Sequence, residues 1–498
     1  MLNSIQESPL YPIVNPKSIA FFGASNNLSA MGTNQFNSLR GLGFEGTIYP
    51  IHPKEEHVQN LKAYRSVLDL PEVPDLSVLV VPTQIVPELL EECGQRGVKH
   101  AIIVSGGFKE MGSEGENREK ELIEIAIKYG IRFLGPNCIG VANPYQKLNT
   151  TFLRYLCDPG FIGMASQSGS FVTEMFNYLS KLSLGFSTAF SVGNEANVDV
   201  VDCMEYLGKC PNTKVIALYI EGIRRGREFV EIARSIIPSK PIVALYVGGS
   251  ETGRRAGLSH TGALAGSDQL YDGVFHQSGV IRAYSIAELF DMCWVLGCLP
   301  KPRGPRVVIQ THSGGPGAAA ADSCGREGLV LPTLSHNTIK KLSPFIPNTG
   351  STHNPVDITF AKNPMDYFSD IPKVLLEEDN TDILLIYFLV PSQMVNRALE
   401  HMGLSKDQAI EQGAKLINAQ CKSIAQLLEI HKKPIVGYTY RSIQEDFTKS
   451  LIKQGLPVFP GPERAVRALK ASVQYSRLRE KILGSNTKGK EKDERHRG

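Results

Sequence analysis

Short apolar runs recur along the chain, each followed by Gly, Pro or Ser and then by a stretch with helical spacing. In the first third these runs cover residues 18–22, 47–51, 76–81, 101–105 and 131–134. Continuous apolar strands that alternate with amphipathic helices are typical of a parallel sheet covered on both faces. The pattern therefore predicts an α/β domain whose first long helix lies near residues 35–42.

The same pattern repeats twice more. Strands are predicted at 161–165, 215–220 and 242–247, and again at 306–310, 383–388 and 434–438. A helix-rich stretch at 286–299 leads into the Pro- and Gly-rich linker 300–305. We expect an α/β protein of three consecutive doubly wound domains, at residues 10–145, 146–300 and 301–478. Residues 479–498 are polar and lack periodicity, which predicts a disordered tail.

Composition narrows the class of protein. The 498 residues are 42% hydrophobic and 21% charged, with a net charge of +3, which is ordinary for a globular enzyme and too balanced for a nucleic-acid binder. No apolar run is long enough to span a membrane, and the N-terminus lacks a signal-peptide pattern. Nine scattered cysteines without a Cys-x-x-Cys pair indicate buried thiols rather than disulfides or a metal site. We expect a cytoplasmic protein without nucleic-acid, membrane or metal binding.

The first candidate site is the turn Gly23-Ala24-Ser25, which follows the first strand. Amides at such a strand-to-helix turn can hold a phosphate or pyrophosphate, although an ordinary tight turn is the alternative. The second strand is followed by Lys54 rather than by the acid that binds the ribose of NAD. Further small turn residues should meet at the same sheet edge, namely Val81, Pro82, Ser105, Gly106 and Asn137.

Two similar turns open the second and third predicted domains. One is Ser166-Gln167-Ser168-Gly169-Ser170, and the other is Thr311-His312-Ser313-Gly314-Gly315. Each presents amide donors at the N-terminus of a helix, which favours an anion. Singly, each turn is only a strand-helix junction. Together they could hold one doubly charged group.

A histidine within a segment of small residues is the strongest chemical signal. His260 lies in Ser-His-Thr-Gly-Ala, after a glycine-rich stretch that contains two arginines. A neutral imidazole is a good nucleophile, so phosphoryl acceptance is plausible, while a buried histidine bound to a carbonyl is the alternative. Glu221 ends a predicted strand and could support an imidazole. Gly193, Asn194 and Glu195 form a loop predicted to line a substrate, with a surface or capping role for either glutamate as the alternative.

Taken together, these motifs resemble the α subunit of the nucleoside-diphosphate-forming acyl-CoA synthetases, relatives of succinyl-CoA synthetase. The resemblance covers about residues 10–475. It rests on the Gly23, Ser166 and Ser313 turns already named and on five further segments: Gly135-Pro136-Asn137-Cys138, Ser191-Val192-Gly193-Asn194-Glu195, Glu221-Gly222-Ile223, Ser259-His260-Thr261-Gly262 and Asn354-Pro355-Val356-Asp357-Ile358. It implies a Rossmann-like CoA-binding domain followed by two flavodoxin-like domains.

The resemblance also implies the chemistry. His260 would be the phosphohistidine, Glu221 its supporting carboxylate, and the helices after Ser168 and Ser313 the phosphate cradle. Acyl-CoA, phosphate and ADP would be interconverted with carboxylic acid, CoA and ATP through an acyl phosphate. The family's ATP-grasp domain is absent from the sequence, so a separate β subunit, in an α2β2 assembly, would bind ATP or ADP with Mg²⁺.

Four positions depart from the family pattern. Tyr246 stands where lysine is usual, Gly249 replaces an arginine, His52 replaces an asparagine, and His312 precedes Ser313. These departures concern the rate and the substrate more than the reaction class. A non-catalytic CoA- or acyl-CoA-binding regulatory protein of the same fold is the alternative, since some relatives carry this fold as a sensing module. An NAD(P)-dependent oxidoreductase is disfavoured because the three-glycine fingerprint and the ribose-binding acid are missing.

Overall fold

The computed structural model describes residues 4–152, 158–253, 266–359, 363, 365–389 and 392–495. Within it the chain divides into two compact units, residues 1–285 and 286–498. The first unit contains two large sheets and the second contains one. The α/β class predicted from the apolar pattern is confirmed, with predominantly parallel sheets.

The first sheet is entirely parallel and has the order β2-β1-β5-β6-β7. The interior strand β1 is buried at all five positions, as its largely apolar sequence requires. A short antiparallel hairpin, β3-β4, follows β2. The strands are β1 Ser18–Phe22, β2 Thr47–Ile51, β3 His57–Val58, β4 Leu61–Lys62, β5 Leu76–Leu79, β6 His100–Ile103 and β7 Arg132–Leu134.

The second sheet has the order β14-β13-β12-β10-β11-β8-β9. Five strands are parallel, while the short strands β8 and β9 add an antiparallel edge. This edge was not predicted, because the two strands are too short to show a periodicity. The strands are β8 Val141–Asn143, β9 Leu148–Asn149, β10 Ile162–Ser166, β11 Phe186–Ser191, β12 Val215–Ile220, β13 Ile242–Tyr246 and β14 Ile281–Ala283.

The third sheet is parallel, with the order β16-β15-β17-β18-β19. Its strands are β15 Val307–Thr311, β16 Val356–Asp357, β17 Ile383–Tyr387, β18 Ile435–Thr439 and β19 Val458–Pro460. In all three sheets the strand order reverses beside the first long parallel strand, at β1, β10 and β15. Ligands of open α/β sheets bind at the carboxyl ends of the strands at such a point.

Helices connect the strands. In the first unit they are Tyr11–Val14, Met31–Gly41, Val86–Arg96, Ser113–Tyr129, Gly169–Ser180, Val200–Lys209, Gly226–Ile236 and Asp268–Ser278. In the second they are Ile286–Cys298, Gly314–Arg326, His336–Leu342, Asp370–Glu377, Ser392–His401, Lys406–His431, Asp446–Lys453 and Pro462–Arg495.

The helix Ile286–Cys298 belongs to the second unit, although the sequence places it at the end of the predicted middle domain. Asp291 on this helix is 4% exposed and accepts two hydrogen bonds of 2.7 Å from Arg464 of the last helix. That last helix runs from Pro462 to Arg495, through most of the predicted disordered tail. Ile482, which composition assigns to the tail, is buried, so apolar packing extends beyond residue 478.

Eight of the nine cysteines lie in the described residues; all eight are free thiols and seven are buried. No helix in the described part of the chain has the length and apolarity needed to cross a membrane. Among the same residues, no cluster of His, Cys, Asp and Glu side chains could hold a metal ion.

Candidate functional site

The turn after β1 is shaped by close backbone packing. Gly23 has a φ of +92°, and a Cβ there would overlap the carbonyl oxygen of Val80. The Ser25 amide donates to Thr33 Oγ1 (3.0 Å), and this hydroxyl donates in turn to the Ser25 carbonyl (3.1 Å). Glycine is therefore required at the turn, and the first turn of the next helix fixes the residues that follow.

The other turns predicted at this sheet edge do lie together. Ser105 Oγ donates to the Val81 carbonyl (2.6 Å), and the Asn137 amide donates to the Ser105 carbonyl (2.8 Å). The hydroxyl of Thr83, next to Pro82, donates to the Gly106 carbonyl. The edge is thus a continuous surface of main chain and small side chains, which suits an elongated ligand.

His52, one of the four departures, has a structural role at this edge. Its Nδ1 accepts hydrogen bonds from the amides of Lys54 (3.2 Å) and Glu55 (2.9 Å). The imidazole therefore does what an asparagine side chain does in an Asx turn, since it caps the main chain two and three residues ahead. The turn presents Lys54 exposed to solvent.

The turn after β10 leaves the amides at the start of its helix uncapped by a side chain. Ser166 Oγ donates to the Ser168 carbonyl (2.7 Å) and accepts from the Ser168 amide (3.1 Å). Ser168 is the N-cap of the helix Gly169–Ser180, and its own side chain makes no capping bond. Ser170, at the second helical position, is exposed. This helix N-terminus is suited to an external anion.

The turn after β15 repeats this geometry in the second unit. Thr311 Oγ1 donates to the Ser313 carbonyl (2.8 Å) and accepts from the Ser313 amide (3.1 Å). Ser313 is the N-cap of the helix Gly314–Arg326 and makes no side-chain capping bond. Ser313, Gly314 and Gly315 are all exposed. Both turns predicted from the sequence therefore share one geometry and begin a helix that has no side-chain cap.

Glu221 follows β12 and is partly buried. Its position is set by a residue that the sequence reasoning did not single out, Gln167. Gln167 Oε1 accepts hydrogen bonds from the amides of Glu221 and Gly222, the latter at 3.0 Å, while its Nε2 donates to the Gly222 carbonyl (2.7 Å). A polar residue between two small serines at the end of a central strand was the available signal for this role.

The loop that carries Gly193, Asn194 and Glu195 packs on the turn at Pro136. Gly193 has a φ of +56°, and a Cβ there would overlap the Pro136 carbonyl oxygen. The Asn194 side-chain amide donates to Glu110 (2.6 Å) and to Glu119 (3.0 Å), both from the first-sheet region. The two sheets of this unit are therefore joined by buried polar contacts at the loop.

Glu195 is 7% exposed, and both carboxylate oxygens accept hydrogen bonds from protein groups. The donors are the Val200 amide (2.8 Å) and Gln167 Nε2 (2.8 Å). Burial raises the pKa of Glu195 to about 7. Arg224, which the sequence reasoning did not single out, donates to the carbonyls of Asn194 and Glu195, each at 2.8 Å.

His260 lies outside the described residues. Described residues on either side of His260 contact each other. Tyr246 donates to the carbonyl of Gly266 (2.8 Å) and stacks on Tyr271, with ring centroids 3.6 Å apart. Tyr271 Oη in turn accepts from the Ile223 amide (3.0 Å), two residues after Glu221. A Cβ on Gly249 would overlap the Asp268 carboxylate, so a larger residue at position 249 would require Asp268 to move.

His312 stacks on Tyr367, with ring centroids 3.5 Å apart and planes 10° from parallel. Its Nε2 is buried and has no hydrogen-bond partner among the described residues. Burial lowers the pKa of His312 to about 4, so the ring is neutral at physiological pH.

Three family models match the chain. They are a CoA-binding domain (residues 17–144), a succinyl-CoA ligase-like flavodoxin domain (159–296) and a ligase-CoA domain (307–477). The α subunit of ADP-forming acetate–CoA ligase II from Pyrococcus furiosus is 39% identical over 93% of this chain and 97% of its own length. The chain belongs to the family of ADP-forming acyl-CoA ligase α subunits.

Two further relatives are similar to this chain over most of its length. The ADP-forming acetate–CoA ligase I of Archaeoglobus fulgidus is 37% identical over 93% of this chain, which covers 63% of that longer protein. The structure of the dinucleotide-forming acetyl-coenzyme A synthetase 1 of Ca. Korarchaeum cryptofilum, in complex with phosphate and ADP, superposes with a TM-score of 0.84 at 32% identity. The match covers 96% of this chain and 98% of that one.

These relatives confirm the resemblance drawn from the motifs, the fold class and the assignment as a ligase. The non-catalytic alternative finds no support among them. The designation of the Pyrococcus relative as an α subunit implies that this ligase type works with a partner subunit.

Proposed function

We propose that this chain is the α subunit of an acid–CoA ligase that transfers a phosphoryl group through His260. The observation that carries the proposal is the repeated turn. Ser168 and Ser313 each occupy the N-cap position of a helix, and neither side chain makes a capping hydrogen bond. Amides left open in this way fit a dianionic phosphoryl group. Glu221, held at the end of β12, is the carboxylate that supports the imidazole.

The first sheet is the proposed CoA site, within a domain of residues 10–145. Gly23 and Ala24 are proposed to provide amides for the pyrophosphate, with Ser25 beside them although its own amide is bonded to Thr33, and Lys54 provides a cation. Val81, Pro82, Ser105, Gly106 and Asn137 line the edge along which the rest of CoA would lie. The support is the continuous main-chain surface of these turns, at the point where the strand order reverses.

The proposed reaction has three reversible steps. A phosphate oxygen attacks the thioester carbonyl carbon, the carbon–sulfur bond breaks, and CoA leaves as a thiolate that takes up a proton. A nitrogen of His260 then attacks the phosphorus of the acyl phosphate, and the phosphorus–oxygen bond breaks to release the carboxylate. An oxygen of ADP finally attacks the phosphohistidine and breaks the phosphorus–nitrogen bond, which gives ATP. Positioning and charge stabilisation provide most of the catalysis in such transfers.

The remaining site residues receive roles that fit their contacts. Ser166, Ser168, Gly169 and Ser170 are proposed phosphate-binding residues of a second domain, residues 146–300. Ser313, Gly314 and Gly315 are the corresponding proposed residues of a third domain, residues 301–478. Gly193, Asn194 and Glu195 form the proposed substrate-lining loop, in which the Glu195 carboxylate is bonded to Gln167 and to a helix amide.

The nucleotide and its Mg²⁺ are proposed to bind to an ATP-grasp β subunit, in an α2β2 assembly. The support is the length of the relative from Archaeoglobus fulgidus, of which this chain covers 63%. The substrate is a small carboxylic acid or its acyl-CoA, in the cytoplasm.

Reconstitution tests the proposal. We expect the purified chain to bind CoA but to make acyl-CoA from acid, CoA and ATP only after an ATP-grasp partner is added. His260→Ala should abolish this turnover and leave CoA affinity, measured by calorimetry, unchanged. Turnover by the chain alone, or by the His260→Ala complex, would contradict the proposal.

A further inference from the structure

The side chain of Gln167 is fully engaged with the protein around Glu221. Its carboxamide offers two lone pairs and two donor hydrogens. The oxygen accepts from the amides of Glu221 and Gly222, and the nitrogen donates to the Gly222 carbonyl and to Glu195 Oε2. All four capacities are used within the protein, so the side chain serves the architecture of the site rather than a ligand.

Gln167 is itself held firmly where it acts. Its amide donates to the carbonyl of Tyr219 on β12 (3.2 Å), and it sits between Ser166 and Ser168 in the hydroxyl-bridged turn. The carboxamide therefore ties the phosphate-binding turn after β10 to the residues that follow the neighbouring strand β12. On the far side of these residues, the Ile223 amide is held by Tyr271 Oη.

We propose that Gln167 is a positioning residue that orients the Glu221 carboxylate through its main chain and so sets the geometry of phosphoryl transfer. The inference rests on the proposed function, in which Glu221 supports His260. Gln167 needs no contact with substrate for this role. Because one carboxamide holds both the amide of Glu221 and the two polar main-chain groups of Gly222, its removal frees three main-chain groups at once.

The hydrogen bond from Gln167 Nε2 to Glu195 allows a specific test of the inference. Glu195 accepts from Gln167, so replacement of Gln167 by glutamate places two carboxyl groups in one hydrogen bond. Such a pair needs one shared proton, and the bond is lost when both groups ionise. The titratable and charged groups that act on Glu195 in the fold are Asp199, Arg224, Lys109, Tyr271 and Cys203. None of these groups is changed by the substitution.

The experiment uses the complex of this chain with its ATP-grasp partner and compares wild type, Gln167→Leu, Gln167→Glu and Gln420→Leu. The last is a matched control, because Gln420 is a partly buried glutamine whose Nε2 approaches only Met365 Sδ (3.7 Å) in the second unit. The readouts are the single-turnover rate of phosphohistidine formation, the dissociation constant of CoA and the melting temperature.

We expect Gln167→Leu to slow phosphohistidine formation by about 100-fold, with CoA affinity within twofold of wild type. Gln167→Glu should retain activity near pH 6 and lose a further tenfold or more, relative to wild type, between pH 6 and 8. If Gln167→Leu melts too low to assay, Gln167→Glu below pH 7 keeps the hydrogen bond and provides the comparison. Gln420→Leu should match wild type in all rates.

A wild-type rate in Gln167→Leu, or a Gln167→Glu pH profile parallel to wild type, would overturn the inference while leaving the proposed function intact. A wild-type complex that forms no phosphohistidine would instead overturn the proposed function, and this inference with it. A parallel loss of CoA affinity and rate in Gln167→Leu would also contradict the inference, since it would indicate a general structural role.

Discussion

The turns after β10 and β15 are built alike and differ in their middle residue. In both, a hydroxyl at the strand end bridges the amide and carbonyl of the serine two residues later, and a helix begins without a side-chain cap. Between them lie Gln167 in the first unit and His312 in the second. Gln167 bonds to the residues after the neighbouring strand, whereas His312 stacks on Tyr367.

Each turn has two tasks. The hydroxyl bridge performs the one that both turns share, and the middle residue performs the one in which they differ. The hydroxyl bridge sets the turn and leaves the first helix amides without a side-chain cap, and it recurs at both proposed phosphate sites. The middle residue connects each turn to its own surroundings. In the first unit those surroundings include Glu221. The carboxamide of Gln167 makes four hydrogen bonds there, one of them to the Glu221 amide. In the second unit an aromatic stack holds the turn, and the buried ring nitrogen has no polar partner in the part of the chain that the structure describes.

The largest effect should come from a negative charge at either helix start. Ser170→Asp and Gly315→Asp alter equivalent exposed positions, and a Cβ at Gly315 meets no atom within 4 Å. Each carboxylate should stabilise its helix by about 0.3–1 kcal/mol while it repels phosphate. We expect the KM for phosphate to rise about tenfold in each variant. The double variant should lose at least about 100-fold in kcat/KM, or about 2.7 kcal/mol.

Ser170→Asn and Gly315→Asn are the matched controls, because asparagine has the size of aspartate without its charge. Steady-state kinetics with varied phosphate, together with thermal melting, measure both effects. Equal phosphate KM values for the aspartate and asparagine variants of one turn would show that this turn does not bind the phosphoryl group. The equivalence of the two turns would then be wrong.

A smaller effect should come from His312, the middle residue of the second turn. It should make the free energy of unfolding depend on pH. The pKa of His312 is lowered to about 4 in the folded protein by burial, while an unfolded histidine titrates near 6.5. Between these values the unfolded state binds more protons, so the free energy of unfolding falls as the pH falls from about 6.5 to 4. His312→Phe keeps a ring for the stack on Tyr367 and removes the titration.

Denaturant unfolding from pH 7 to 4 measures the effect. We expect the second unit of wild type to lose about 2 kcal/mol more than His312→Phe over this range, a figure reduced from the full shift because the ring is partly exposed. Overlapping profiles would mean that His312 is protonated in the folded protein, and that the stack on Tyr367 does not keep the ring neutral.

Much of this architecture follows from the sequence. Apolar runs located β1 and β12 at their observed ends, because parallel strands that are buried at nearly every position have few polar positions to obscure them. The ends of β2 were also predicted, although only its last two residues are buried. The glycine and serine turns at strand ends located the edge of the first sheet and both helix starts. Small residues there are required by close main-chain approach, as the overlap of a Gly23 side chain with Val80 shows.

Other features depend on contacts between distant segments. The antiparallel strands β8 and β9 are two or three residues long, too short for a periodic signal. The role of Gln167 requires Glu195 and Gly222, which lie 28 and 55 residues away in the chain. Ile482 is buried although its neighbours Lys481 and Leu483 are exposed, because one face of a long helix packs while the other does not. No local pattern reveals such pairings.

The most direct test of the account is to map phosphorylation on the chain itself. The complex with an ATP-grasp partner is incubated with ATP, or the chain with acyl-CoA and phosphate, and intact mass and peptide mapping follow. We predict an acid-labile adduct of about 80 Da on His260. Absence of the adduct with every acyl donor, while CoA still binds, would contradict phosphoryl transfer and favour a CoA-binding regulatory protein.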